Sequence, residues 1–112
     1  MEELVKNLKS SGVLKSPKII EAFLKVDRKD FVPKDMKASA YLDQALSIGH
    51  SQTISQPYTV AFMLELLEPK EGDPSTSLRA SKIMDIGYGS GWASALLAHI
   101  VGERGKFTLS NL

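Results

Sequence analysis

Apolar positions recur with a helical period over the first third of the chain. Leu4, Val5 and Leu8 stand at i, i+1 and i+4, and Gly12 follows as a stop. In SPKIIEAFLKV, Ser16 suits an N-cap and Pro17 the first helical position. Ile19, Ile20, Phe23 and Leu24 then form one apolar face. The segment DRKD reads as a solvated polar face, with Phe31 and Val32 as apolar anchors, and Pro33 ends any helix before it. Residues 41–55 carry little periodicity, which predicts a loop with short extended pieces. Ser55 can then cap a helix that has Pro57 in its first turn. Val60, Met63, Leu64 and Leu67 supply its stripe, and Pro69 stops it.

Beyond this point the pattern changes. Residues 70–81 are polar and turn-rich, with Gly72, Pro74 and three serines, and predict a surface loop. KIMDIG is a short apolar strand candidate. SGWASALLAHIVG reads as a helix ending at Gly102, and KFTLSNL as the start of a second strand. Strand, glycine loop, helix and strand make one βαβ unit, the beginning of a parallel sheet in an α/β fold.

Composition narrows the function classes. At 112 residues the chain is one domain at most, and 43% hydrophobic with 24% charged residues is a globular balance rather than a disordered one. Fourteen basic and 13 acidic side chains leave a net charge of +1, so electrostatics give no reason to expect nucleic acid or an anionic membrane as partner. Without cysteine there is no disulfide framework, thiolate zinc site or cysteine nucleophile. No apolar run approaches the roughly 18–20 residues of a membrane span, and MEELVKNLKSSG lacks the apolar region of a signal peptide. A cytoplasmic location is the expectation. No His/Asp/Glu cluster has metal-ligand spacing, and Asp43 and Asp85 do not pair as acid and base.

The chemistry concentrates in MDIGYGSGW. An apolar strand runs through Asp85 into Gly87, Gly89, Ser90 and Gly91, and then into a helix. Glycines allow a sharp turn and close approach of a ligand, and the new helix offers a positive dipole end. The G-x-G-x-G spacing places the third glycine one residue earlier than in a dinucleotide-binding loop. A carboxylate at Asp85 would repel a pyrophosphate but suits an ammonium group. Both features favour S-adenosyl-L-methionine, which has an amino-acid end and no phosphate, over NAD. From the loop alone, a tight strand-to-helix turn without a ligand stands as the alternative.

A second constellation lies upstream in SIGHSQTISQPYTVAFMLELLEP: Gly49, then Gln52-Thr53-Ile54-Ser55, then Pro57. Together with DIGYGSGW it resembles the protein-L-isoaspartate O-methyltransferase family. IIEAFLKVDRKDFVP and AYLDQALSIG resemble that family's N-terminal subdomain, and the likeness covers about residues 13–105, interrupted by a long 70–81 loop. The resemblance implies a class I methyltransferase Rossmann-like fold with an N-terminal helical subdomain. Residues 1–69 would form that subdomain with its substrate loop, and residues 82–112 the start of the cofactor domain. It further implies S-adenosyl-L-methionine as methyl donor and the α-carboxylate of L-isoaspartyl residues in damaged proteins as acceptor, with Ser55, Thr53 and Gln52 holding that carboxylate. Without the resemblance, Ser55 reads as a plain helix N-cap.

The same resemblance implies an acidic residue at the end of the second strand, on the ribose hydroxyls. Counting without gaps, Asn111 occupies that position. FTLSN also lacks the continuous apolar run of a strand buried on both faces. Family members are markedly longer, so the expectation is an incomplete fold with weak or no activity alone and an exposed sheet edge available for self-association. A non-catalytic module completed by a partner chain is the alternative, and a NAD-binding Rossmann domain a weaker one. His50, in the substrate loop, and His99, expected to face solvent, read as incidental. Trp92 fits either core packing or a place beside the cofactor. Tyr88 departs from the small residues expected in the glycine loop.

Overall fold

The computed structural model of the chain describes residues 1–49, 52–67 and 91–101. Helix α1 (Glu2–Ser10) buries Leu4, Val5 and Leu8, and Gly12 beyond it has a φ of +86°. That left-handed conformation lets the chain reverse, and the Ser11 and Gly12 N–H groups close on Asn7 and Lys9 carbonyls. Helix α2 (Pro17–Lys25) starts where Ser16-Pro17 predicts, but its buried face is Ile19, Ala22 and Phe23. Leu24 is 43% exposed, a departure from the expected face. Two 3-10 turns follow, Arg28–Phe31 and Lys34–Ser39, on either side of Pro33.

The short extended pieces expected within residues 41–55 are two strands. Strands β1 (Leu46–Gly49) and β2 (Gln52–Ile54) pair antiparallel, with Leu46 opposite Ile54, Ser47 opposite Thr53 and Gly49 opposite Gln52. The register slips between Ser47 and Gly49, and Gly49 has a φ of +93°, which a side chain would strain. Four- and three-residue strands are too short to show a period in the sequence. Helix α3 (Pro57–Leu67) buries Val60, Ala61 and Leu64, and helix α4 (Trp92–Val101) buries Trp92, Ala93, Leu96, Leu97 and Ile100.

Helix α2 is central. It packs against α4 most extensively and also touches α1 and α3. The Phe23 and Trp92 rings meet edge to face at 5.4 Å, a geometry favoured by the ring quadrupoles. These side chains belong to one continuous apolar cluster that also takes in Val32, Leu46 and Ile54. The hairpin is therefore anchored to the helical layer by Leu46 and Ile54, one residue from each strand. Among the described residues no helix is long and apolar enough to cross a membrane. The strands expected at KIMDIG and KFTLSNL and the loop expected over 70–81 fall outside the described residues.

The start of α2 is held from 49 residues away. Ser16 stands at the N-cap, yet its side chain makes no capping bond. Its hydroxyl donates instead to Glu65 Oε1 at 2.6 Å, and the Lys15 and Ser16 N–H groups both donate to Glu65 Oε2 at 2.7 Å. Partial burial pushes the Glu65 carboxyl upward, but these bonds and the Lys15 charge outweigh it, so its pKa lies below the ordinary 4.5. The stabilisation is thus complete above that value and is lost as the pH falls through the lowered folded-state pKa. Glu65→Gln is expected to cost about 1 kcal/mol at pH 7, allowing for solvent screening, with the difference shrinking in acid. Urea melts of both chains at pH 7 and pH 3 measure it.

Candidate functional site

The proposed carboxylate-holding residues lie on the last strand of the hairpin and just beyond it. Gln52 and Thr53 are exposed and Ser55 is half-buried, while Ile54 between them is fully buried. Alternation along β2 sets Thr53 on the opposite face from Gln52 and Ile54. Ser55 follows the strand, where the chain turns into α3.

That turn is fixed by Asp43. Its Oδ1 accepts the Tyr58 N–H at 2.8 Å, and its carbonyl accepts Gln56 Nε2 at 3.2 Å. Because α3 begins at Pro57, Gln56 stands next to it, and the first-turn donor at Tyr58 is satisfied from Asp43. The simple N-cap expected of Ser55 is thus not its position in the fold.

The largest departure from the sequence reading is Arg28. DRKD was expected to be a solvated face; Arg28 is instead fully buried. Asp27 starts the 3-10 turn by accepting the Lys29 N–H, and it also takes the Tyr41 hydroxyl at 2.8 Å. This geometry turns Arg28 inward. Its Nη1 donates to the carbonyls of Ala40 (2.8 Å) and Leu42 (3.1 Å), and its Nη2 to those of Gln44 (2.7 Å) and Ser55 (3.0 Å). The guanidinium also lies over the Trp92 ring, 5.4 Å from its centroid. Burial pulls its pKa down to about 10, opposed by the nearby charge of Asp43, so it stays charged at neutral pH. A polar turn between two helices carries no pattern that marks such a residue. The only hint is an arginine four residues before a Val-Pro anchor.

Trp92 opens α4 directly after Gly91. It is fully buried, and its indole N–H donates to the Val26 carbonyl at 3.3 Å, so it belongs to the core. Gly91 has a φ of +84°, and a Cβ there would meet only the Phe31 ring at 3.9 Å, an ordinary contact. The requirement for glycine is therefore conformational. Asp85, Gly87, Gly89, Ser90 and Asn111, together with His50 and Tyr88, lie outside the described residues. His99 is half-buried rather than solvent-facing, with Nε2 3.3 Å from Glu21 Oε1 on α2. Among the described residues no group of three or more His, Asp or Glu is placed to hold a metal ion.

Helices packed on a hairpin and followed by a glycine-initiated helix fit the first part of an α/β methyltransferase fold. Two solved structures share it. One is a protein-L-isoaspartate O-methyltransferase from Plasmodium falciparum in complex with S-adenosyl-L-homocysteine, with a TM-score of 0.65 and 25% identity over 88% of this chain and 41% of that one. The other is a protein-L-isoaspartate O-methyltransferase with a TM-score of 0.69 and 26% identity, covering 92% and 31%. The chain belongs to the protein-L-isoaspartate(D-aspartate) O-methyltransferase family, whose model matches residues 1–109. It is 44% identical to the protein-L-isoaspartate O-methyltransferase of Methanopyrus kandleri over 105 residues, covering 94% of this chain and 43% of that protein. Against that of Fervidobacterium nodosum it is 48% identical over 102 residues, covering 91% and 46%. The chain thus spans less than half the length of these relatives.

The conformational requirement at Gly91 predicts that Gly91→Ala lowers stability by about 1–2 kcal/mol through the left-handed backbone alone. Denaturant titration of the two chains checks this, and an unchanged midpoint would contradict it.

Proposed function

We propose that the chain carries the substrate loop and glycine loop of a protein-L-isoaspartate O-methyltransferase. Residues 1–69 form the helical subdomain, and residues 82–112 begin the S-adenosyl-L-methionine domain, with the 70–81 loop between them. Family membership over residues 1–109 is the observation that carries the reading. The Plasmodium structure's S-adenosyl-L-homocysteine supports the cofactor, and the left-handed Gly91 at the head of α4 is consistent with a loop shaped for it. Asp85, Gly87, Gly89, Ser90 and Gly91 would hold it, with Asn111 toward the ribose. The setting would be cytoplasmic.

When bound, S-adenosyl-L-methionine supplies an electrophilic methyl group on a sulfonium. The isoaspartyl α-carboxylate is ionised at neutral pH, so this chain needs no general base. The work of Ser55, with Thr53 and Gln52 nearby, is alignment and partial desolvation of that carboxylate. The Ser55 hydroxyl sits at the end of a strand whose carbonyl is clamped by Arg28, which supports a fixed donor there.

A second reading, a module completed by a partner chain, is favoured by one observation. Tyr58, Phe62 and Leu66 recur every fourth residue on α3 and are 42%, 50% and 64% exposed. They border a cleft of about 400 Å³ against residues 11–15. An apolar stripe of this kind suits a protein interface.

The deciding experiment is transfer of labelled methyl to an isoaspartyl peptide and to its aspartyl counterpart. It uses the 112-residue chain alone and mixed with the C-terminal portion of the Methanopyrus relative. Selective labelling of the isoaspartyl peptide supports the reading, and activity only in the mixture favours the second. No transfer in either arm, with no calorimetric binding of S-adenosyl-L-homocysteine, would sink it. Ser55→Ala is expected to weaken isoaspartyl-peptide binding about tenfold, the loss of one hydrogen bond to a charged group.

A further inference from the structure

We infer that Arg28 is a positioning residue that holds the substrate-side strand end and the helix after the glycine loop in one fixed relation. The inference rests on the proposed roles of Ser55 and of the glycine loop. The observations are geometric. One face of the guanidinium edge takes the Ser55 carbonyl at 3.0 Å and the Gln44 carbonyl at 2.7 Å, which closes the base of the β1–β2 hairpin. Its Cζ lies over the ring of Trp92, 5.4 Å from the centroid; Trp92 is the first residue of α4 and the neighbour of Gly91. The remaining donor pair takes Ala40 and Leu42.

A single planar, rigid group therefore touches both segments that the proposed reaction must align. Ser55 presents the carboxylate donor, and Gly91-Trp92 ends the cofactor loop. No hydrogen-bonding carboxylate partners Arg28 among the described residues; four carbonyl dipoles and a ring face meet its charge instead. Every one of those contacts depends on orientation, so a shift of the hairpin relative to α4 breaks several of them together. Among the described residues Nε has no hydrogen-bond partner. Lysine would keep the charge but cannot reach four carbonyls and stack at once.

Nuclear magnetic resonance of the nitrogen-15-labelled chain tests this. Trp92 is the sole tryptophan, so its indole N–H gives one unambiguous signal, and the Gln56 amide reports the Ser55 carbonyl across the peptide bond. The native chain should show separate, slowly exchanging Arg28 Nη–H signals with Overhauser contacts to the Trp92 ring. In Arg28→Lys, checked as folded by its melt, the Trp92 and Gln56 signals should both shift. A core control, Ile19→Val, should lower the melting temperature and move neither. Fast-exchanging averaged Nη–H signals in the native chain would overturn the inference. So would a shift of only one segment in Arg28→Lys, or of both in the control. If Arg28→Lys does not fold, the native-chain signals decide. Titration with S-adenosyl-L-homocysteine should then shift Gln56, and isoaspartyl peptide should shift Trp92, with both distant shifts lost in Arg28→Lys. Ligands that shift nothing in the native chain count against the proposed function, while the ligand-free comparison still judges the role of Arg28.

Discussion

One buried cation organises the described structure. Arg28 sits against the apolar cluster with no hydrogen-bonded carboxylate among the described residues, Asp43 acting only through its nearby charge, and such a cation is tolerable only when dipoles replace the water it has lost. Four backbone carbonyls and the Trp92 face do so. The arrangement works in both directions. Residues 40–44 form an irregular segment outside the sheet, and the guanidinium supplies donors to the Ala40, Leu42 and Gln44 carbonyls, while the Asp43 carbonyl takes the Gln56 side chain. Leaving the buried Ala40 acceptor unmade would cost on the order of 1–3 kcal/mol, so the loop's conformation and the burial of Arg28 depend on each other.

The same logic recurs at two smaller sites. Glu65 on α3 completes the start of α2, and Asp43 ahead of the hairpin completes the start of α3. The beginnings of α2 and α3 are thus satisfied by side chains from distant elements rather than by their own caps. The helices, hairpin and irregular segments are thereby tied into one unit, and the strand end at Ser55 is held by Arg28 and, through Gln56 and Tyr58, by Asp43. A site that aligns reactants without acid–base chemistry needs this kind of rigidity more than it needs a perturbed titratable group.

How much of this was readable beforehand follows from the range of each interaction. The limits of α2, the left-handed turn near Gly12 and the helix after Gly91 were readable because caps, prolines and glycines act within a few residues. The apolar stripes of α1 and α3 were readable because burial on one face imposes a 3.6-residue period. The β1–β2 hairpin was half readable: its strands are shorter than two full alternations. The outer positions of α2 misled, since Leu24 fits the stripe but lies beyond the edge of the packed face. Family resemblance, carried by Gln52–Ser55 and the glycine loop, identified the family that the comparisons then showed.

By itself, then, the sequence determined the helices, their order and the family, because those depend on local spacing and on motifs contiguous in the chain. Only the tertiary structure decided that Arg28 is interior, that Glu65 and Asp43 are caps, and that Trp92 belongs to the core. Each of those outcomes needs partners 12 to 66 residues away, such as Ala40 for Arg28 and Val26 for Trp92. A polar residue's pattern in the chain is the same whether it meets water or a ring of carbonyls; the fold supplies the difference.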